Sequence, residues 1–279
     1  MKSHHIISFL LLCVFLVFQA CKPEVERNSF SPEIVVEGVI ENDGYASVIL
    51  SQLVPVGVKI DSADMTSIPI RGAKVTVSNG EEKEVLTGMR NNDYFLKYEY
   101  RTLHLKGEVG KTYTLTVEYS GRKLTAVTTI PSVPELADLQ IVDIADSDTL
   151  FSLMAKINDN GDEKNYYMFH LKKEELASNT FRPCFLGTVN DEVLQQDTEI
   201  PICTPLSVQG EYSVYFSKKE KYRLKLSQIG ETEYAFWQSC FNQILGMNPI
   251  YPNMQNLGSN IKGGLGIWYG CGSREYIIN

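Results

Sequence analysis

Between residues 33 and 130 the chain is composed almost entirely of short apolar–polar alternations, each cut off by turn formers, with hardly any helical periodicity. Period-two alternation buries one side of a strand and wets the other, so such a segment closes only by packing sheets together. Residues 33–40 read as a strand, Asn42-Asp43-Gly44 as a turn, and 45–51 as the returning strand. Residues 72–77 alternate cleanly before the turn Ser78-Asn79-Gly80, 84–87 follow, and the run Tyr94-Phe95-Leu96 comes after Asn91-Asn92-Asp93. Residues 111–119 pair across Ser120-Gly121 with 122–130. About seven strands at this turn spacing predict an immunoglobulin-like β-sandwich over residues 32–131.

Pro131 and Pro134 each lack a ladder donor and restrict the residue before them, which places a domain boundary there. The strand pattern restarts at 139–144, 150–157 and 165–172, and continues at 212–216 and 222–226. Residues 134–279 are therefore expected to form a second β-rich domain. One stretch departs from the pattern: residues 231–245 place Tyr234, Trp237, Phe241, Ile244 and Leu245 at helical spacings and stop at Gly246. The fold class expected is mainly β, with two antiparallel sandwich-like domains, the second carrying one short helix.

The first twenty residues stand apart. Lys2 precedes an apolar run over 6–18, and the character changes at Gln19-Ala20-Cys21, which is the layout of a signal peptide. The run is shorter than the ~17 to 25 residues a spanning helix needs. Ala20 and Cys21 fit the demands of lipoprotein signal peptidase, which cleaves before a cysteine already carrying diacylglycerol; Phe18 stands where Leu is commoner. Ordinary secretion, with Cys21 as a free or paired thiol, is the competing reading. Lipidation of Cys21 with palmitate-type chains would make attachment stable, at ~0.8 kcal/mol per buried methylene. Residues 21–31 then form a polar tether, and the mature body begins at 32.

Losing the leader's Lys2 takes the 26 basic side chains to 25 against 34 acidic ones, a net charge near −9. A surface so negative argues against nucleic acid or anionic lipid as a partner. Of the six cysteines, Cys13 leaves with the leader and Cys21 is the anchor. Cys184, Cys203, Cys240 and Cys271 remain, and an even number in an oxidising compartment suggests two disulfides. Pairing of neighbours in sequence, Cys184 with Cys203 and Cys240 with Cys271, is favoured among the three connectivities. A zinc site lacks a C-x-x-C pair and has only His104 and His170 to draw on.

Several motifs resemble a family of Bacteroidota lipoproteins known as domain of unknown function 4249. In the first half these are Val35-Val36-Glu37-Gly38, Ile70-Arg71-Gly72-Ala73-Lys74-Val75, Gly110-Lys111-Thr112-Tyr113-Thr114-Leu115 and Thr128-Thr129-Ile130-Pro131. In the second they are residues 159–167, the Glu233-Tyr234 helix and residues 259–267. The first half is also similar to carboxypeptidase-regulatory-like and transthyretin-like sandwiches. The resemblance implies an accessory of an outer-membrane TonB-dependent transporter, facing the cell surface or the periplasm, and transfers no site residue. The acidic tether resembles the surface-export signals of Bacteroidota lipoproteins.

The remaining candidates are weighed residue by residue. The run 263–272 lacks the Lys-Ser/Thr of a phosphate loop, so its glycines are expected to let a strand bend or pack closely against the helix. Asp143, Asp146 and Asp148, and the stretch 158–163, are rich in oxygen ligands for calcium but lack EF-hand spacing, and turn formation explains them as well. With no G-x-S-x-G, no H-E-x-x-H and two mature histidines, no catalytic residues, cofactor or metal are assigned, and the chain is expected not to be an enzyme. Trp237, Tyr251, Trp268 and Tyr269 could stack on a glycan, or lie buried in the second core, which is the favoured reading. A surface adhesin or glycan-binding module, holding a glycan or peptide without a transporter, is the alternative function.

Overall fold

The computed structural model describes residues 32–54, 64–159, 161, 163–174, 180–192, 194, 198–207, 210–246 and 257–278. In chain order the strands are β1 (Ile34–Glu41), β2 (Tyr45–Gln52), β3 (Lys74–Ser78), β4 (Lys83–Val85), β5 (Thr87–Met89), β6 (Glu99–Lys106), β7 (Thr112–Tyr119) and β8 (Arg122–Thr129). Past the prolines come β9 (Glu135–Ile144), β10 (Ser147–Asn158), β11 (Tyr166–Lys173), β12 (Arg182–Asn190), β13 (Ile200–Ile202), β14 (Phe216–Ser217) and β15 (Tyr222–Ile229). The helix α1 (Glu231–Leu245) and the long strand β16 (Leu265–Ile278) complete the chain. This is the mainly β, largely antiparallel architecture with one helix that the alternation predicts.

An eight-stranded sheet, in the order β12-β11-β15-β16-β1-β2-β6-β5, is the spine of the molecule. Its middle strand β16 runs parallel to β1 from Leu265 to Cys271, then antiparallel to β15 from Gly272 to Ile278. Two four-stranded sheets pack on one face of this spine. The first, β4-β3-β7-β8, closes a core with Val36, Ile40, Val48, Tyr100, Val75, Tyr113, Leu115 and Leu124. The second, formed by β13, β10, β14 and β9, closes another with Phe151, Leu153, Phe169, Leu171, Phe216, Leu224 and Ile278. Even-numbered β16 residues serve both: Trp268 in the first core, Ile278 in the second. The chain crosses between cores at Pro131–Pro134 and β16 crosses back, so a single sheet joins halves that the sequence reads as separate sandwiches.

The odd-numbered residues of β16 face the opposite way. Ile267, Tyr269 and Cys271 form a third cluster with Met168 and Ile229, under Tyr234, Phe236 and Trp237 of α1. The helix begins at Gly230, which offers no side-chain cap; Glu231 and Glu233 supply negative charge in its first turn. It stops at Gly246, whose N–H returns to Asn242 O at 2.8 Å.

The glycines of β16 have a different neighbour from the one expected. A Cβ on Gly270 would stand 2.8 Å from Thr129 O, so Gly270 fits the exit of β8 and not the helix. Two further expectations shift. Tyr94-Phe95-Leu96 is loop, with Phe95 75% exposed, and the strand begins later at Glu99. The run 212–216 shrinks to the two residues of β14, while β12, with Pro183 in it, lies at the sheet edge where a missing N–H costs no ladder bond.

Candidate functional site

Beside α1, the helix side of the spine turns polar. Val39 packs in the third cluster, and strand alternation puts Glu37 and Glu41 on the same side, opposite Ile267 and Cys271 of β16. Glu37 is solvent-exposed, and desolvation by the protein around it raises its carboxyl above the ordinary carboxylate value. It has no hydrogen bond or ion pair among the described residues.

Groups from four elements converge on it. Tyr94, from the loop before β6, hydrogen-bonds Ser47 of β2, and burial raises its phenol, with Glu99 and Glu37 adding to the effect. Tyr269 is buried, and desolvation lifts its hydroxyl far above the usual range, reinforced by Cys271, Glu37 and Glu41. Cys240 on α1 is pushed up to about 11 by burial and then by Glu37. Glu99 takes hydrogen bonds from Ser47 Oγ at 2.7 Å and Asn91 Nδ2 at 2.9 Å, so it is satisfied where Glu37 is not.

A second arm runs across β15. Lys225 Nζ donates to both Glu41 oxygens, at 2.9 and 3.2 Å, and lies 4.7 Å from the Phe181 ring centroid. Burial alone would lower its ammonium; Glu41 with Cys271 and Glu275 reverses that, and the net shift is upward. Opposite Lys225 on β11 lies His170, buried, with Nδ1 unpartnered. Desolvation and then Lys225 hold His170 well below its ordinary pKa, so the ring is neutral. Elsewhere, Asp93, Lys173, Arg182, Thr204, Glu211 and Tyr212 line an open cleft of about 710 Å³. Glu37 is a bare carboxyl beside the phenols of Tyr94 and Tyr269, suited to a hydrogen-bond donor or a cation.

The residues singled out from sequence are scattered by the fold. Trp268 is wholly buried in the first core, not the second, and its Nε1–H donates to Tyr113 O at 3.1 Å, so it cannot touch a ligand. Tyr269 is buried below α1 beside Glu37, and Trp237 is half-buried on the helix with Nε1 unpartnered. No stacking platform of these rings exists among the described residues. Tyr251, Cys21, the leader and the tether lie outside the described residues.

The expected disulfides are not formed, since all four cysteines are thiols. Cys184 and Cys203 are near neighbours, with Phe185 N–H donating to Thr204 O at 3.3 Å. Cys184, however, is buried in the second core while Cys203 is half-exposed. Cys240 lies in the field of Glu37; Cys271 lies in that of Glu41 and Lys225 and accepts a 3.5 Å contact from Ser273 Oγ.

Among the described residues no group of three or more His, Cys, Asp or Glu is placed to hold a metal. Asp143 pairs with Lys218 at 2.5 Å, and Asp159 accepts from Tyr167 Oη at 2.5 Å; Asn160 and Asp162 lie outside the described residues. Glu37, Glu41, Glu99, Tyr94 and Lys225 are the residues that sequence reasoning passed over. The one signal was a charge in the apolar run Val35-Val36-Glu37-Gly38-Val39-Ile40.

The family model described as "Domain of unknown function (DUF4249)" matches residues 20–277. The chain is a DUF4249 protein. No curated protein matches it. Among solved structures, the DUF4249 chain is similar to "Crystal structure of domains A168-A170 from titin" at 9% identity and a TM-score of 0.20, covering 71% of this chain and 60% of that one. An overlap so weak fixes no shared fold.

Proposed function

We propose that this DUF4249 protein is a non-enzymatic lipoprotein, anchored through Cys21 to the outer membrane and displayed outward, which captures a ligand as the accessory of a TonB-dependent transporter. The leader and the acidic tether support the anchor, and the family match begins at residue 20, one position before Cys21. The observation that carries ligand capture is Glu37, a carboxyl with no hydrogen bond or ion pair among the described residues, flanked by Tyr94, Tyr269 and Cys240 and raised above its ordinary value; groups so perturbed collect where binding needs them. Being solvent-exposed, it is open to an incoming donor.

The test has two arms. Cys21→Ser is expected to abolish fatty-acid labelling and release the chain from membranes; unchanged labelling overturns the anchor. Extraction of the intact protein in mild detergent is expected to bring a β-barrel with it. A chain that emerges alone and is retained on a glycan array would instead be an independent glycan-binding module.

A further inference from the structure

Strand β10 is hydrogen-bonded on one side to β13 and β14 and on the other to β9, and β9 has no further strand beyond it among the described residues. Which of its groups face the open edge follows from a proline. On β13, Pro201 stands opposite Met154, flanked by the pairs Leu153–Ile202 and Ala155–Ile200. Pro201 has no N–H, so Met154–Pro201 is the non-hydrogen-bonded pair. Leu153 and Ala155 therefore turn their peptide groups toward β13. Ser152, Met154 and Lys156 turn theirs toward β9, onto Val142, Gln140 and Asp138. By the same alternation Leu139, Ile141 and Asp143 point their N–H and C=O away from β10.

A second observation agrees. The Leu139 N–H is taken by Asp138 Oδ1 at 2.9 Å. Past the register shift at Lys156/Ile157, the Leu136 N–H is taken by Tyr276 Oη at 2.8 Å. The first half of the edge is thus capped from within the protein. The Ile141 and Asp143 N–H groups have no such cap among the described residues.

The side chains tell the same story. Leu136, Leu139 and Ile141 stand opposite Ile157, Ala155 and Leu153, on the face of the second core. Leu136 and Leu139 pack against that core, whereas Ile141 is 48% exposed, with no strand beyond it among the described residues. Val142, on the outer face, is 40% exposed. An uncapped edge with apolar side chains is a template for one more strand.

We propose that residues 140–144 of β9 are a docking edge for an extended segment of a partner protein, which joins the second sheet as a further strand with apolar and basic side chains in alternation. The apolar residue would cover Ile141. The basic ones are selected by charge: Asp138, Asp143 and Glu199 lie along this edge and Asp146 and Asp148 follow it in the turn and the start of β10, five carboxylates against two lysines, Lys218, which is held by Asp143, and Lys156, which stands opposite Asp138. A second copy of a chain with net charge −8 would repel itself here.

Residue-resolved amide exchange on the full-length chain tests this, with a ten-residue peptide alternating lysine and valine as probe and its glutamate–valine counterpart as control. The lysine peptide is expected to slow exchange at Ile141 and Asp143 tenfold or more, while Gln140 and Val142, already paired with β10, stay as they were. Ile141→Pro removes an N–H that the β9–β10 ladder does not use, and should weaken the peptide at least tenfold. Should that variant fold poorly, the exchange pattern of the unsubstituted chain decides. Slowing elsewhere only, equal binding of the glutamate peptide, or binding untouched by Ile141→Pro would overturn the proposal. So would protection that rises with protein concentration alone, since the occupant would then be a second copy.

Discussion

Two desolvated ionisable groups set opposite pH slopes. His170 is held neutral by desolvation and Lys225, below its ordinary 6.5. In the unfolded chain it takes up a proton near 6.5, and in the folded chain it does not. Stability contributed by the neutral ring is therefore present above 6.5 and lost as pH falls below it, at up to about 1.4 kcal/mol per pH unit. His170→Leu is expected to flatten urea midpoints between pH 7 and 5; an unchanged slope would show that His170 protonates in place. Glu37 works the other way. Its carboxyl is raised above 4.5, so stability is greatest below 4.5 and declines as pH rises through the folded value. Glu37→Gln should leave melting temperature at pH 7 unchanged or higher while weakening ligand capture. A marked fall in melting temperature would mean that Glu37 holds the fold together. Neither role was legible in the sequence: His170 sits in a strand-like run and Glu37 in an apolar one, and only the sheet decides what surrounds them.

Among the elements, β16 depends most on residues without side chains. Gly266 has φ 107, and a Cβ there would collide with the Val36 carbonyl. Gly270 donates its N–H to Thr128 Oγ1 at 2.7 Å and leaves no room before Thr129 O. Gly270→Ala is expected to cost about 1 to 3 kcal/mol by overpacking, read from the urea midpoint. A neutral result would mean that the β8 exit can retreat from β16. The run of glycines was visible in the sequence, but its neighbour was not, because β8 and β16 are separated by the whole second core. Alternation located β1, β7 and β8 closely, since each buries one side chain in two; β2, β11 and β15, which bury consecutive residues, were found by their apolar, β-branched and aromatic runs between turn formers. It failed at β12 and β14: β12 has Pro183 near its start and then buries Cys184 with Phe185, and Gly187 through Val189, in runs that do not alternate, and β14 is two residues long.

For the molecule as a whole, the shared sheet should make unfolding a single event. Polypeptides of this size often unfold one domain at a time, and the prolines at 131 and 134 read as a boundary. Yet the first core contains Ile261 and Trp268 from beyond the second core, and β16 holds β1 along seven residue pairs and β15 along another seven. Removing either half strips a neighbour from β16 and exposes the face that Trp268 fills. The two tryptophans make this measurable, because Trp268 lies in the first core and Trp237 on α1 over the third cluster. In Trp237→Phe only the first core is reported, and in Trp268→Phe only the helix side. Each variant will have its own stability, so far-ultraviolet circular dichroism, which follows every strand, supplies the reference in each. Fluorescence and dichroism are expected to give coincident urea transitions in both variants. If Trp237 lost its environment at a lower urea concentration than the dichroism transition, α1 would be a separately melting cover. If Trp268 did so, the first sandwich would be the weaker unit, and β16 would not couple the two cores.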